Sequence, residues 1–100
     1  MTAAAYAVAL TPGGRLRERR LFLQLSIRDV SHATRSIAAN YDNDLFFLSS
    51  TRISELERDL TIPTVHKLFS LAIVYSISEH DLFHWYGIPP EMRNRIAVAG

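Results

Sequence analysis

The sequence predicts an all-α domain, a compact bundle of about five helices around one core. Apolar residues recur three and four positions apart over most of the chain, which is the spacing of helices that bury one side. Serines stand where three of these segments begin, at Ser26, Ser49 and Ser78, and serine is a preferred residue before the first turn of a helix. The length of 100 residues, of which 48% are hydrophobic, suits a single globular core.

The composition bears on disulfides, cellular compartment and membrane association. Charged residues make up 21%, and cysteine is absent, so disulfides and cysteine-ligated metals are excluded and we expect a reducing, cytoplasmic compartment. Residues 1–10 are apolar but lack a basic flank and are too short for a signal peptide or a membrane span, so we expect no membrane association. The chain therefore divides into a flexible arm at 1–12, a helical domain at 13–88 and a tail at 89–100.

The first two helices differ in how clearly they begin. Residues 11–14, Thr-Pro-Gly-Gly, predict a turn that ends the arm, and the segment from Arg15 to about Gln24 predicts the first helix. The second helix opens with a capping box, Ser26 with Asp29, and runs to about Asn40. Its expected buried stripe consists of apolar or small residues at helical spacing: Ile27, Val30, Ala33, Thr34 and Ile37.

A connection and a third helix follow. Turn-forming residues at 41–44 end the second helix, and the apolar run at 45–48 predicts a packing segment rather than a strand. Ser49 caps a third helix that runs to Arg58. One face of this helix should be buried, with Ile53, Leu56, Glu57 and Leu60. The opposite face carries polar side chains at Ser50, Thr51, Ser54, Glu55 and Arg58.

The fourth and fifth helices complete the bundle. Pro63 should occupy the first turn of the fourth helix, whose stripe is Val65, Leu68, Phe69, Ala72 and Tyr75. The fifth begins at Ser78 and ends before Gly87, a residue that favours helix ends. Of the remaining aromatic residues, Trp85 is expected in the core, whereas Phe46 and Phe47 are equally compatible with a covering role and with a partner surface.

Six segments in this order resemble the Cro/C1-type helix-turn-helix family, the XRE-like, lambda-repressor-like DNA-binding domains of phages and bacteria. They are RLRERR at 15–20, LSIRDV at 25–30, SSTRISELE at 49–57, PTVHKL at 63–68, Leu71-Ala72, and SEHDL at 78–82. The resemblance covers roughly residues 13–88 and implies that the second and third helices form the DNA-binding unit. It also implies an ion pair between Arg20 and Glu57, and an inward carboxylate on the third helix independently requires a partner.

The resemblance implies a bacterial, sequence-specific transcriptional regulator that binds double-stranded DNA as a homodimer. The third helix, about 49–58, would enter the major groove. Ser50, Thr51 and Glu55 would face base edges, Ser49 and Arg58 would face phosphates, and Arg52 would reach either. Further electrostatic attraction would come from arginines near the start of the domain: Arg15, Arg17, Arg19 and Arg28.

Several features depart from that family. The chain between the second and third helices is enlarged, the second helix starts with Ile27, and Asp59 stands where glycine is common. Residues 13–35 carry a net charge of +4, but residues 41–62 carry −3, which predicts weak or strongly salt-sensitive DNA binding. The alternative is a protein-interaction module that keeps this fold without binding DNA.

The sequence gives little support for metal binding or catalysis. His80 and His84 have the spacing of a helical metal pair, yet no third ligand is evident, so we expect no metal and no cofactor. His32 and His66 are expected to face solvent. The carboxylates at 55, 57 and 59 point in different directions on a helix, so we expect no catalytic residues and no enzyme activity.

Overall fold

The computed structural model describes residues 11–88, which form five α-helices and no β-strand. The helices are α1 (Pro12–Phe22), α2 (Ile27–Tyr41), α3 (Ser50–Glu57), α4 (Val65–Tyr75) and α5 (Glu79–Trp85), with a 3₁₀ turn at Asp44–Phe46. The prediction of an all-helical bundle is confirmed. In the same part of the chain, no helix combines the length and apolar character needed to cross a membrane. The tail, and the arm up to residue 10, lie outside the described residues.

The core draws residues from every helix and from the α2–α3 connection. Each of these side chains is almost completely removed from solvent, and burial of one such side chain contributes about 1.5–3 kcal/mol. The largest are Leu16, Leu48, Ile53, Leu56, Leu71, Tyr75 and Leu82. Because α3 supplies Ile53 and Leu56 to this core, its opposite side is left to face solvent.

Helix α1 begins earlier than the sequence predicts. Thr11 caps it by accepting a hydrogen bond from the backbone N–H of Gly14 at 2.9 Å, and Pro12 occupies the first turn. The predicted turn at 11–14 is therefore wrong, because proline and a capping threonine suit a helix start as well as a turn. A Cβ atom at Gly13 would lie 2.6 Å from the carbonyl oxygen of Glu57, so only glycine allows α1 to approach the end of α3 this closely.

Helix α2 has the predicted capping box. The hydroxyl of Ser26 accepts from the N–H of Asp29 at 3.0 Å, and the Asp29 carboxylate accepts from the N–H of Ser26 at 2.8 Å. The helix ends at Asp42, which adopts a left-handed conformation with φ of 51°. Val30 and Thr34 are buried as predicted, but Ile27 and Ile37 are only half-buried. Ser31 and Ala38 are buried in addition, so the buried stripe is rotated slightly from the predicted one.

Two hydroxyl groups of α2 hold the connection to α3. The N–H of Leu48 donates to the hydroxyl of Thr34 at 3.0 Å, and the hydroxyl of Ser31 donates to the carbonyl of Leu48 at 2.8 Å. These polar groups are all buried, and the Leu48 side chain is fully enclosed in the core. The apolar run therefore packs as expected at Leu48, although Leu45 at its other end is 55% exposed.

The rest of the connection packs against α4. Phe46 stacks on Tyr41 with ring centroids 5.0 Å apart and meets His66 edge-on at 4.9 Å, so His66, expected to face solvent, is half-buried. The carbonyl of Phe46 accepts from the hydroxyl of Ser70 at 2.7 Å. Phe47 lies beneath the guanidinium of Arg35, 3.6 Å from its ring centroid. Both phenylalanines thus pack on this chain.

The predictions for the third and fourth helices require three corrections. Pro63 lies before α4, whose N-cap is Thr64, so it is not in the first helical turn. Val65, expected in the buried stripe, is 83% exposed, and the core position is taken by Leu71. Leu60, expected on the buried face of the third helix, lies beyond α3 and is 64% exposed. Gly87 adopts a φ of 81° after α5, as its place in the sequence predicts.

Replacing Thr34 with valine tests how the connection is held. Thr34→Val keeps the shape of the side chain but leaves the buried N–H of Leu48 without an acceptor. We expect a loss of about 1–3 kcal/mol in the free energy of unfolding, measured with chemical denaturant. The exposed Ser36→Ala, on the same helix, should change stability little. A loss no larger than that of Ser36→Ala would contradict this role.

Removing the Asp29 carboxylate tests the cap of α2. The hydrogen bond from the N–H of Ser26 lowers the pKa of Asp29 below its usual value. The stabilisation is therefore present above the unfolded-state pKa, about 3.9, and is lost as the pH falls through the lower folded-state pKa. Asp29→Ala should thus destabilise the protein more at neutral than at strongly acidic pH, measured by denaturant unfolding. An equal deficit at both values would contradict the account.

Candidate nucleic-acid interface

Helix α3 is fixed at both of its ends. At its start, Ser49 accepts a hydrogen bond from the N–H of Arg52 at 3.1 Å, directly after the anchored Leu48. At its end, Glu57 binds Arg20 of α1. Ile53 and Leu56 are buried between these attachments. The rotation of the helix about its own axis is therefore determined, and with it the set of side chains that face outward.

Arg20 and Glu57 form a two-point salt bridge. The Nε and Nη2 atoms of Arg20 donate to the two carboxylate oxygens of Glu57 at 2.6 and 2.9 Å. A third N–H of Arg20 donates to the carbonyl of Leu25 at 3.0 Å. The two side chains are 10% and 5% exposed, and the hydrogen bond to Glu57 raises the pKa of Arg20. This geometry joins α1, the start of α2 and the end of α3.

The outward face of α3 is polar and uncovered at its start. Ser49, Ser50, Thr51 and Arg52 are all exposed. The aromatic residues of the connection pack elsewhere, Phe46 on α4 and Phe47 beneath Arg35 of α2. The first-turn N–H groups of a helix have no partners within the helix, and the first turn of α3 holds no acidic residue. Small hydroxyl groups and free N–H donors therefore stand together at this end.

Arg52 and Glu55 interact with each other on this face. The Nη1 atom of Arg52 lies 3.5 Å from a carboxylate oxygen of Glu55 and donates to the hydroxyl of Thr61 at 3.3 Å. Both side chains remain partly exposed, at 47% and 35%. The charge of Glu55 is thus balanced locally. Arg58, which follows α3, is exposed and donates weakly to the carbonyl of Ser54 at 3.4 Å.

The remaining arginines divide into two groups. Arg28 is exposed in the first turn of α2. Arg19 instead donates to the carbonyls of Tyr75 and Ser76 at the end of α4, at 2.8 and 3.3 Å. Arg15 lines a shallow depression with Arg19 and Trp85. Arg15 and Arg19, which are expected to add electrostatic attraction for DNA, thus lie beside α4 and α5.

The described carboxylate and histidine side chains on and beyond α3 are not gathered into one cluster. Glu55 and Glu57 bind different arginines, so these carboxylates do not converge on one point. His80 and His84 are exposed on α5. Within residues 11–88 no group of three or more His, Cys, Asp or Glu residues is placed to hold a metal ion. The outward face of α3 offers hydroxyl groups, one acid and its neighbouring arginines.

The sequence does not predict the contacts of four residues that position α3. Ser31 and Thr34 hold the connection, and Gly13 allows α1 to approach α3. Asp59 accepts a hydrogen bond from the N–H of Gly13 at 2.8 Å. The signal for the first two is the presence of small hydroxyl residues within the otherwise apolar stripe of α2. The contact between Gly13 and Asp59 spans 46 positions of sequence and leaves no local pattern.

No family model, curated protein or solved structure matches this chain. The features of α3 that bear on function are its exposed residues Ser49 to Arg52, the pair of Arg52 and Glu55, and the buried pair of Arg20 and Glu57.

Substitutions at the buried pair test whether it orients α3. Arg20→Met leaves the carboxylate of Glu57 buried without a partner and should cost about 3–5 kcal/mol in the free energy of unfolding. The double variant Arg20→Met with Glu57→Leu removes both charges and should recover a large part of that loss. Denaturant unfolding measures both. The single variant Glu57→Leu completes the comparison, and a double variant that loses as much stability as the two single variants together would contradict coupling between the two residues.

Proposed function

We propose that the protein is a sequence-specific DNA-binding regulator that places α3 in the major groove. The observation that carries the proposal is the exposed face at the start of α3, from Ser49 to Arg52, on a helix whose rotation is fixed at both ends. An α-helix fits the B-DNA major groove, and the N-terminal residues of such a helix meet base edges. A face of short hydroxyl side chains permits that close approach.

Each exposed residue suits a particular contact. The hydroxyl groups of Ser50 and Thr51 donate and accept, so they can bind any base edge, and Glu55 accepts from the amino group of cytosine. Ser49 and the first-turn N–H groups suit a phosphate, since helix N-termini attract anions. Arg28 and Arg58 would bind phosphates at the other end of α3. Arg52, beside the groove, would bind a phosphate or a base.

The acidic charge of residues 41–62 is less of an obstacle than its sum suggests. Glu57 is buried against Arg20, and Glu55 is paired with Arg52. The carboxylate of Asp59 accepts from the N–H of Gly13. Asp44 lies 3.9 Å from Arg35, although that pair is largely exposed. Partners of opposite charge or N–H donors thus reduce the repulsion that a duplex would meet.

Two further points support a helix-turn-helix interpretation. Asp59, at the position where the resembled family commonly has glycine, has a φ of 59°, a conformation that glycine adopts most easily. The enlarged connection at 42–49 packs on α4 through Phe46 and leaves the start of α3 open. We propose that the regulator binds as a homodimer to a site with two-fold symmetry, as paired recognition helices require.

Selection of bound sequences tests the proposed function. The full chain is mixed with random genomic fragments at low and at moderate salt, and the bound fragments are sequenced. We expect enrichment of one motif with two related halves and a steep loss of binding as salt rises. The alternative function, a protein-interaction module, predicts no enrichment at low salt and a protein complex that persists at high salt.

A single substitution on α3 tests whether Thr51 contacts a base edge. Thr51→Ala should weaken binding to the selected site by about 1–3 kcal/mol and relax its sequence preference, with little effect on non-specific DNA. Ser36→Ala, on the exposed side of α2, is the matched control and should bind as the native chain does. Fluorescence anisotropy with selected and scrambled duplexes measures the difference. Equal losses in Thr51→Ala and Ser36→Ala would contradict the assignment.

A further inference from the structure

Arg52 and Glu55 form a charged pair beside the outward face of α3. The Nη1 atom of Arg52 lies 3.5 Å from a carboxylate oxygen of Glu55. The same nitrogen donates to the hydroxyl of Thr61 at 3.3 Å, in the segment that follows α3. Both charged side chains are partly exposed, at 47% and 35%. The pair therefore has a defined arrangement and is open to an approaching molecule.

These contacts use one nitrogen of the Arg52 guanidinium. Glu55 and Thr61 both meet Nη1, and neither Nε nor Nη2 makes a hydrogen bond within residues 11–88. Because the guanidinium is planar, one N–H of Nε and one of Nη2 point the same way, side by side. Arg52 thus presents a fork of two donors, and the contacts of Nη1 set the orientation of that fork.

The charge of Glu55 bears on what this fork binds. An arginine fork fits two targets in DNA, a pair of phosphate oxygens or the O6 and N7 atoms of guanine. A phosphate that binds Arg52 comes close to the Glu55 carboxylate and is repelled by it. The edge of guanine is uncharged and offers two acceptors. Guanine is therefore the better target for Arg52.

A G·C pair also provides a partner for Glu55. In the major groove this pair offers two acceptors on guanine, followed by the N4 amino donor of cytosine. Arg52 supplies two donors and Glu55 an acceptor beside them, which is the complementary order. An A·T pair offers an acceptor, a donor and a second acceptor, so the same two side chains do not match it.

We propose that Arg52 and Glu55 together read one G·C base pair, an assignment that rests on the proposed function because it requires α3 in the major groove. The Nε and Nη2 atoms of Arg52 donate to the O6 and N7 atoms of guanine. The Glu55 carboxylate accepts from the N4 amino group of the paired cytosine. Thr61 is a positioning residue, since its hydroxyl holds Nη1 of Arg52.

Selection of bound genomic fragments with the full chain and its variants tests the assignment. The native chain should enrich a motif with one invariant G·C position in each half. Arg52→Lys keeps the charge but lacks the fork, so the preference at that position should disappear and affinity for the selected duplex should fall about 10-fold or more. Ser36→Ala, on the exposed side of α2, is the matched control and should enrich the native motif.

Removing the carboxylate should change specific and non-specific binding in opposite directions. Glu55→Ala should weaken the G·C preference, because cytosine loses its acceptor. The same variant should bind a scrambled duplex more tightly than the native chain does, because a charge that repels phosphates is gone. Fluorescence anisotropy with the selected and the scrambled duplex measures both changes.

A modified base locates the contact of Arg52. The analogue 7-deazaguanine lacks the N7 acceptor, and at the selected position it should weaken binding of the native chain about 5-fold or more. It should change the binding of Arg52→Lys little, because that variant has no fork to lose. The same analogue placed outside the motif is the control and should leave both affinities unchanged.

Two substitutions test Thr61 as a positioning residue. Thr61→Val should reduce discrimination between G·C and A·T at the selected position about 2- to 10-fold. Thr61→Ser keeps the hydroxyl and should restore the discrimination. Helical circular dichroism and affinity for the scrambled duplex should be the same in both variants. Equal discrimination by the valine and serine variants would contradict the role of the hydroxyl.

The possible results separate this assignment from the proposed function. A motif that Arg52→Lys binds as tightly as the native chain would make Arg52 a phosphate contact and overturn the assignment, with the DNA-binding function intact. Equal effects of 7-deazaguanine on the native chain and on Arg52→Lys would overturn it in the same way. No enriched motif with the native chain would overturn the proposed function and the assignment together.

Discussion

The orientation of α3 depends on the pairing of Arg20 with Glu57, two charged side chains that are almost removed from solvent. Neither charge is tolerated there alone, because an unpaired buried ion costs several kcal/mol. The guanidinium of Arg20 also binds the carbonyl of Leu25, so one side chain links α1, α3 and the segment that leads into α2. Apolar packing would hold α3 in the bundle, but it would fix its direction less strictly than these directional bonds.

The second constraint acts at the opposite end of α3 and explains how a long connection is tolerated. Residues 42–49 form an extended excursion, yet the chain returns to a fixed point because Ser31 and Thr34 bind both backbone groups of Leu48. The excursion itself packs on α4 through Phe46. Its length therefore has little influence on α3, and the outward face of α3 stays open.

The sequence predicts the elements that have local signals. The capping box of Ser26 and Asp29, the capping Ser49 and the terminal Gly87 all leave patterns within four residues, and the structure has each of them. The inward carboxylate of Glu57 could be anticipated from helical periodicity, as could its need for a partner. From such local patterns the sequence predicts the number of helices and the exposed residues at the start of α3.

Other features depend on contacts that are distant in sequence. The sequence predicts a later start for α1, because Pro12 and Gly13 are equally typical of a turn. Glycine is required at position 13 because the backbone carbonyls of Leu56 and Glu57 lie close to it. Val65 follows the apolar period of α4 but lies on an exposed groove rim. The sequence predicts Arg19 on a basic surface, whereas its guanidinium binds carbonyls at the end of α4. Periodicity cannot distinguish a buried face from an apolar groove.

The central claim is that the anchored helix α3 presents its first turn to a duplex. The most direct measurement is a map of backbone amide NMR shifts as a duplex is titrated into the full chain at low salt. The account predicts the largest changes from Ser49 to Arg52, with smaller ones at Arg28 and Arg58 and none along α5. Changes centred on α4 and α5, or none at all, would contradict it.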